Sequence, residues 1–291
     1  MHIQDKATLA EDQQWTLVIK PRNSLFDLNL KEVWRYRDLL WLFVRRDFVA
    51  QYKQTILGPI WNVIQPILTT IMFLLLFGKI ANIPTDGIQP VLFYMSGITI
   101  WNYFSTSLIA ASNTFVGNAA IFGKVYFPRL VMPLSVIMSN IVRLGIQFGL
   151  LLLCMIYYAI KGVPIHIGLS WLLIIPLVAL MAGIGLGLGI IISSLTTKYR
   201  DFTVLMTFVI QLAMYVTPIA YPLSFLAHSK YKALISLNPI TPIVEAFRYI
   251  VFGHGTVTVA SMSYSLAFMV VSLFIGVTIF TQVEKTFMDT V

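Results

Sequence analysis

From Ile60 almost to its end, the chain is a succession of apolar runs about as long as a lipid bilayer is thick. A membrane-spanning helix needs about 20 apolar residues, and backbone groups in hydrocarbon must bond within their own segment. Six stretches meet that need: 60–80, 91–115, 130–160, 169–195, 202–223 and 264–283. Hydrophobic residues make up 58% of the 291 and charged residues only 11%, too apolar a balance for a soluble domain of this length. The expectation is an all-α, polytopic membrane protein with six transmembrane helices per subunit. The run at 130–160 exceeds the minimum, so it tilts or begins at the interface.

The stretch RRDFVAQYKQTILGPIWNVIQP, residues 45–66, joins two unlike parts. Residues 1–30 are polar and read as a cytoplasmic tail with one strand-like piece at 15–19. Over 31–57 the spacing is helical, and Val33, Tyr36, Leu40, Phe43 and Val44 share a face. With Trp34, Trp41 and several basic residues, this is an amphipathic helix for the membrane surface, for a soluble partner, or for both. Gly58-Pro59 then bends the chain into span one. The division is 1–59, a cytoplasmic segment with an interface helix, and 60–291, a six-span transmembrane domain. Between spans five and six, the apolar pieces 231–237 and 243–252 are each too short to cross and predict a pair of short re-entrant helices.

The net charge is +8. In this setting Lys and Arg hold the cytoplasmic ends of spans against an anionic leaflet, and no nucleic-acid partner is implied. Nine of the basic residues precede span one, and Lys124, Arg129, Lys198 and Arg200 fall in the loops after spans two and four. Both termini are therefore expected inside. Lys230, Lys232 and Arg248 are an exception to that bias. The long charged segment ahead of Ile60 predicts no cleavable signal peptide. No internal repeat is visible, against the secondary-transporter folds built on repeats.

Several chemistries have no residues to carry them. The histidines His2, His166, His228 and His254 are scattered, and one cysteine, Cys154, allows neither a disulfide nor CxxC, so no metal site is expected. Gly78-Lys79 and Gly123-Lys124 lack the rest of a P-loop. The run from Gly183 to Gly189, with a glycine at every second position, sits mid-span and reads as close helix packing. Asp86, Asp201 and Glu245 fall at span boundaries, with Glu245 three residues before Arg248, rather than as a mid-membrane ion relay. The chain is expected to move something rather than transform it. If it does so uphill, the energy source lies on another chain.

Polar residues recur at helical spacing. Trp61, Gln65 and Thr69 stack in span one, with Phe73 and Phe77 continuing the row. Thr203, Thr207, Gln211 and Tyr215 do the same in span five, and Asn140, Arg143 and Gln147 share a face of span three. Each stripe either bonds a neighbouring helix or lines a wet path. Arg143 is the most demanding of these groups and calls for a helix end or a lipid phosphate. Aromatics collect toward the outer ends of the spans, among them Tyr94, Trp101, Phe104 and Tyr221. Such faces can stack on the C–H faces of sugars, although belt and core packing also use them. In the loop after span two, Lys124 and Arg129 flank an apolar run, Val125, Tyr126 and Phe127, that calls for something to dock on.

Four motifs, in this order, resemble the membrane subunits of ABC transporters that export polysaccharides: the elbow at 45–66, KVYFPRLVMPLS at 124–135, VTPIAYPLS at 216–224 and SLNPITPIVEAFR at 236–248. The likeness to these permeases for lipopolysaccharide O-antigen, capsule and teichoic acid runs from about Leu39 to the end, and it leans toward O-antigen. It implies a homodimer in the cytoplasmic (inner) membrane, paired with two copies of a separate ATPase that carries ATP and Mg, with no cofactor in this chain. It implies a channel between the copies, lined by Trp61, Gln65, Thr69, Phe73, Phe77, Tyr94, Trp101, Phe104, Gln211, Tyr215 and Tyr221. The loop Lys124, Val125, Tyr126, Phe127 and Arg129 becomes the ATPase coupling element. Asn238, Pro239, Pro242 and Glu245 become an extracytoplasmic gate. The cargo is a polyprenyl-pyrophosphate-linked glycan, with Arg45, Arg46 and Lys53 as contacts for the pyrophosphate or as ordinary snorkelling charges. A permease of the same fold for a drug or lipid, and a membrane-embedded glycan-assembly enzyme using Asp201 or Glu245, are the alternatives.

Overall fold

The computed structural model describes residues 30–53, 55, 58–122, 124, 125, 127–164, 168–199, 201–227 and 229–290. The expected strand at 15–19 and the tail around it, Tyr126 of the coupling loop, Arg200, and His2, His166 and His228 lie outside them. No strand forms among the described residues.

The chain enters through two short helices, α1 (Leu30–Arg35) and α2 (Arg37–Tyr52), broken at Tyr36. The face read from spacing is the one that packs: Phe43 and Val44 are buried, while Trp34 and Trp41 are exposed. α2 lies along α6 (Val131–Ile160). The elbow is a single turn at Gly58–Ile60, entered through Gly58 at φ +47, a conformation that favours glycine. α3 (Trp61–Phe73) follows, and its last turns, Leu74–Ile80, widen to π-helical geometry.

Among the described residues, four helical stretches are both long and apolar enough to cross a membrane: Gly58–Ile80, Val131–Ile160, Leu169–Thr197 and Val259–Val283. The other two expected spans take different forms. α4 (Pro90–Ser112) is long enough, but polar and aromatic residues dilute its apolarity. It can carry them because it is the central helix, in contact with α3, α6, α7 (Ile174–Lys198), α8 (Asp201–Val216) and α10 (Thr241–Phe252). Every residue from Leu92 to Trp101 is buried. α8 has 16 residues, about 24 Å of helix. It stops short of the expected 223 because Pro218 lacks an N–H and disfavours helical geometry at Thr217. α9 (Lys232–Ser236) and α10 occupy the two short apolar pieces. At 12 residues, α10 is about 18 Å long, too short to cross, and Gly253 at φ +75 ends it. α11 (Val259–Thr290) begins before the expected 264.

The glycine run packs α7 between two helices. Cβ atoms at Gly183 and Gly187 would collide with Met269 and Ser272 of α11, whereas Gly185 and Gly189 face Ser107 and Ala111 of α4. Across the seam Gly276 answers Gly187: a Cβ there would lie 2.7 Å from the Gly187 carbonyl. Two cores result. The large one surrounds α4. The small one is aromatic and joins Phe43 of α2, Phe115 and Phe122 of α5 (Thr114–Phe122), Phe127, Val131 and Met132, Ile190 of α7 and Phe280 of α11. Phe115 and Phe280 stack at 4.4 Å.

Candidate transport path and its supports

The polar stripes of α3 and α8 turn outward. Trp61 is 53% exposed and Tyr215 51%, and Gln65 and Gln211 are exposed beside them on their helices. Thr69 and Phe77 are half-buried, with the Thr69 hydroxyl donating to the Gln65 carbonyl at 2.9 Å. Tyr221 folds back onto α8, its hydroxyl donating to the carbonyls of Val216 and Tyr215 at 2.9 and 3.2 Å. The aromatic set divides here. Phe73, Tyr94, Trp101 and Phe104 are buried inside the subunit. Tyr94 packs edge-on against Phe73 and Phe93, and Trp101 against Phe104. In this arrangement those rings belong to the core around α4 and present no face to a path. Spacing along a helix does not distinguish the inner face of α4 from an outer one, because all its faces are covered.

The coupling loop is also divided. Lys124 is exposed and Val125 is 56% exposed. Phe127 is buried, its ring 5.7 Å from those of both Phe43 and Phe122. The Arg129 guanidinium lies 5.4 Å over Phe122. The apolar run that called for a docking surface finds it, for Phe127, within its own chain: the loop is fastened to α2. Of the basic residues assigned to a headgroup, Arg46 holds Asp47 at 2.8 Å and stacks over Phe43, while Arg45 and Lys53 are exposed.

At the N-terminal end of α4, opposite the end that leads into α5, the expected gate residues come together as a largely buried polar knot. Glu245 and Arg248 are each 1% exposed, and the pair that sits three residues apart in the sequence meets in the structure. Arg248 Nη1 donates to Glu245 Oε1 at 3.4 Å and to the Pro218 carbonyl at 2.6 Å, and Nη2 donates to the Ile219 carbonyl at 3.0 Å. The guanidinium stacks 3.7 Å from the Phe93 ring centre. Gly97, one turn along from Phe93, makes the room: a Cβ there would lie 2.9 Å from Arg248 Nη2. Glu245 also accepts from the Thr256 N–H at 2.9 Å, the Thr256 hydroxyl at 3.1 Å and the Leu223 N–H at 3.4 Å. A carboxylate so fully engaged is a structural tie, against a role as a catalytic acid. Asn238 donates to Thr217 at 2.9 Å and accepts from the Ile240 N–H at 3.0 Å. The Pro239 carbonyl accepts from Ser265 of α11 at 2.7 Å, and Pro242 is buried in the first turn of α10.

The profile of one family, described as ABC-2 type transporter, matches residues 38–252, which include all but the first residue of α2, the loop at 124–129, and Glu245 and Arg248 of the knot. The chain belongs to the ABC-2 type transporter family. It is 28% identical over 256 residues to an O-antigen export system permease protein RfbA of Klebsiella pneumoniae, covering 87% of this chain and 94% of that one. It is 26% identical over 267 residues to an RfbA permease of Myxococcus xanthus, covering 90% and 98%. It is 21% identical over 241 residues to the polysialic acid transport protein KpsM of Escherichia coli, covering 82% and 91%.

Within this ABC-2 transporter the sequence reading missed four supports. Arg248 was an exception to the charge bias, yet burial and pairing remove it from any topological count. Asp86 was a boundary acid, yet both its oxygens lie within 2.7 Å of the Ser224 hydroxyl, tying the loop before α4 to the chain after α8. Arg143 meets no charged partner among the described residues and donates instead to the side chain of Gln51, in the last turn of α2, at 2.6 and 3.0 Å. Phe280 joins the end of α11 to the aromatic core. The SLNPITPIVEAFR motif held part of that signal: its Glu and Arg, three apart on an otherwise apolar helix, can pair only with each other or with neighbouring backbone.

Proposed function

We propose that this chain is the permease subunit of an ATP-driven exporter of lipid-linked polysaccharide, with an O-antigen on a polyprenyl pyrophosphate as its cargo. Two copies form the channel in the cytoplasmic membrane, both termini lie inside, and two copies of a separate ATPase bind ATP and Mg. The single observation that carries the reading is the outward exposure of Trp61 and Gln65 on α3 and of Gln211 and Tyr215 on α8. Polar side chains are unfavourable against lipid tails, so these faces need a second copy or an aqueous path. The printed names of the relatives, O-antigen export permease and polysialic acid transport protein, supply the cargo class.

In this reading, Trp61, Gln65, Gln211 and Tyr215 line the path, and Phe73, Tyr94, Trp101 and Phe104 shape it from behind. Lys124 and Val125 touch the ATPase, while Phe127 carries its movement to α2 and α11 through the aromatic core. The knot at Glu245 and Arg248 holds α9 and α10 as the outer gate. The test is reconstitution. The chain with its ATPase in proteoliposomes is expected to move lipid-linked glycan only with ATP, and removal of its gene is expected to abolish surface polysaccharide. Uphill movement by the chain alone on an ion gradient would overturn the proposal.

A further inference from the structure

Arg143 stands a little under halfway along α6, about one turn from Asn140, which donates to Ser107 of α4, and beside the end of α2. A guanidinium on a membrane helix needs a counter-charge or a wet cavity. Its Nε and Nη2 both donate to one neutral acceptor, Gln51 Oε1. Among the described residues no carboxylate pairs with it, and Nη1 has no acceptor. The group faces a cavity of about 180 Å³ between α2, α4 and α6, whose polar lining is Asp47, Gln51, Tyr52, Ser139, Asn140 and Arg143. That is roughly six times the volume of one liquid water.

The chemistry of the lining selects a sign. Asp47, the one acid, already holds Arg46 through Nε at 3.0 Å and Nη2 at 2.8 Å. The Tyr52 hydroxyl accepts from Asn62 at 2.5 Å, and among the described residues it donates to no acceptor. Two donors, one of them cationic, are therefore unused at the same cavity, and the exposed Arg45 and Lys53 add positive charge on α2. Planar guanidinium donors match the oxygens of a phosphate.

We propose that this cavity holds the phosphate of a lipid headgroup, with Arg143 as its counter-ion and α2 as the wall that admits it. Only the choice of a polyprenyl pyrophosphate over a membrane phospholipid rests on the exporter reading. The pocket places the headgroup between the interface helix and α6, deeper than the exposed basic residues Arg45 and Lys53.

Native mass spectrometry of the detergent-purified full chain tests it with four probes: polyprenyl pyrophosphate, phosphatidylglycerol, unphosphorylated polyprenol and inorganic pyrophosphate. The wild type is expected to retain a phosphate-bearing lipid, and whichever of the two it retains more tightly identifies the source. Arg143→Gln is expected to weaken that retention at least about tenfold, the size of one lost charge-assisted bond. Arg143→Lys, which keeps the charge and serves as a check on folding, should lose less. Retention by Arg143→Gln within twofold of wild type, or polyprenol held as tightly as its pyrophosphate, overturns the proposal. Inorganic pyrophosphate bound as well as the lipids overturns its lipid part. Surface polysaccharide after gene removal is a separate readout: unchanged polysaccharide would sink the exporter reading while leaving the binding result standing.

Discussion

Replacing Glu245 by Gln removes one charge from the buried knot with almost no change in volume. Arg248, 1% exposed, would then lose its ion-pair partner and keep its positive charge beside the Pro218 and Ile219 carbonyls and the Phe93 ring, with Asp86 acting on it only from beyond ion-pair distance. Breaking a buried pair by removing one partner is worth about 3–5 kcal/mol. The new amide adds a second fault. The carboxylate accepts from donors on both oxygens, Thr256 on one and Leu223 and Arg248 on the other, so one side of the Gln amide must point N–H at N–H. Arg248→Met fails in the converse way, leaving a buried carboxylate without its counter-ion and the Pro218 and Ile219 carbonyls without their donor. At roughly 2–4 °C per kcal/mol for a chain of this order of size, each single variant should melt about 6–20 °C below wild type. The double variant, Glu245→Gln with Arg248→Met, should lose at least about 2 kcal/mol less than the sum, because neither charge is left alone. Fluorescence-detected size-exclusion melts of the purified chain in mild detergent measure all three. Singles that melt within 2 °C of wild type, or a double that is additive, would refute the account of the knot as a tightly coupled tie.

The coupling loop separates into fold and function. Phe127→Ala should destabilise the chain by about 3–5 kcal/mol, seen as reduced membrane abundance and a lower melting temperature. Lys124→Ala and Val125→Ala, at exposed positions, should leave the melt unchanged and reduce ATP-dependent export in proteoliposomes, and normal export in both would remove them from the ATPase contact. At the α7–α11 seam, Gly187→Ala or Gly276→Ala places a methyl under 3 Å from opposing backbone and should cost about 1–3 kcal/mol by overpacking, whereas Gly145→Ala, with open space around it, should be neutral or stabilising. For the dimer, Tyr215→Cys in a Cys154→Ser background should form cross-linked pairs in membranes, and its failure to do so alongside a linked control on the same helix would place α8 away from the two-fold axis.

How far the sequence could be read depended on what surrounds each helix. Where one face meets lipid, as on α3 and α6, long apolar runs announce the helix, and the polar residues on it stand out. α4 defeated that logic because its neighbours cover it. A helix sheathed by others can carry Ser96, Thr99, Ser107 and five buried aromatic rings from Phe93 to Phe104 without meeting lipid, so its composition imitates a path-lining span. Tyr94, Trp101 and Phe104 enter the expected channel as aromatics near the outer ends of spans, a position that does not say which way a ring faces. The interface helix was legible, with Phe43 and Val44 on the expected face, because an amphipathic stripe needs only local spacing. The partners of that stripe were not legible. Phe280 lies 237 residues beyond Phe43, and nothing local in either segment announces that they share a core.

The aromatic core also bears on how force could cross this protein. Phe127 is close-packed with Phe43 of α2 and Phe122 of α5, and Phe115 stacks on Phe280 of α11. A push on Lys124 or Val125 is therefore not absorbed by a loose loop. It meets a well-packed cluster, and such interiors transmit strain because they have few voids. From that cluster α2 leads to Arg143 through Gln51, and α11 runs back to Ser265 and Tyr264, whose hydroxyls hold the Pro239 and Leu237 carbonyls beside α9 and α10. One helix thus connects the exposed loop to the headgroup cavity, and another connects it to the knot on the opposite side. If both links are rigid, Phe127→Leu, which keeps an apolar side chain but loses the ring contacts, should weaken export more than it weakens folding. Equal losses in the two would mean that the core only holds the helices together.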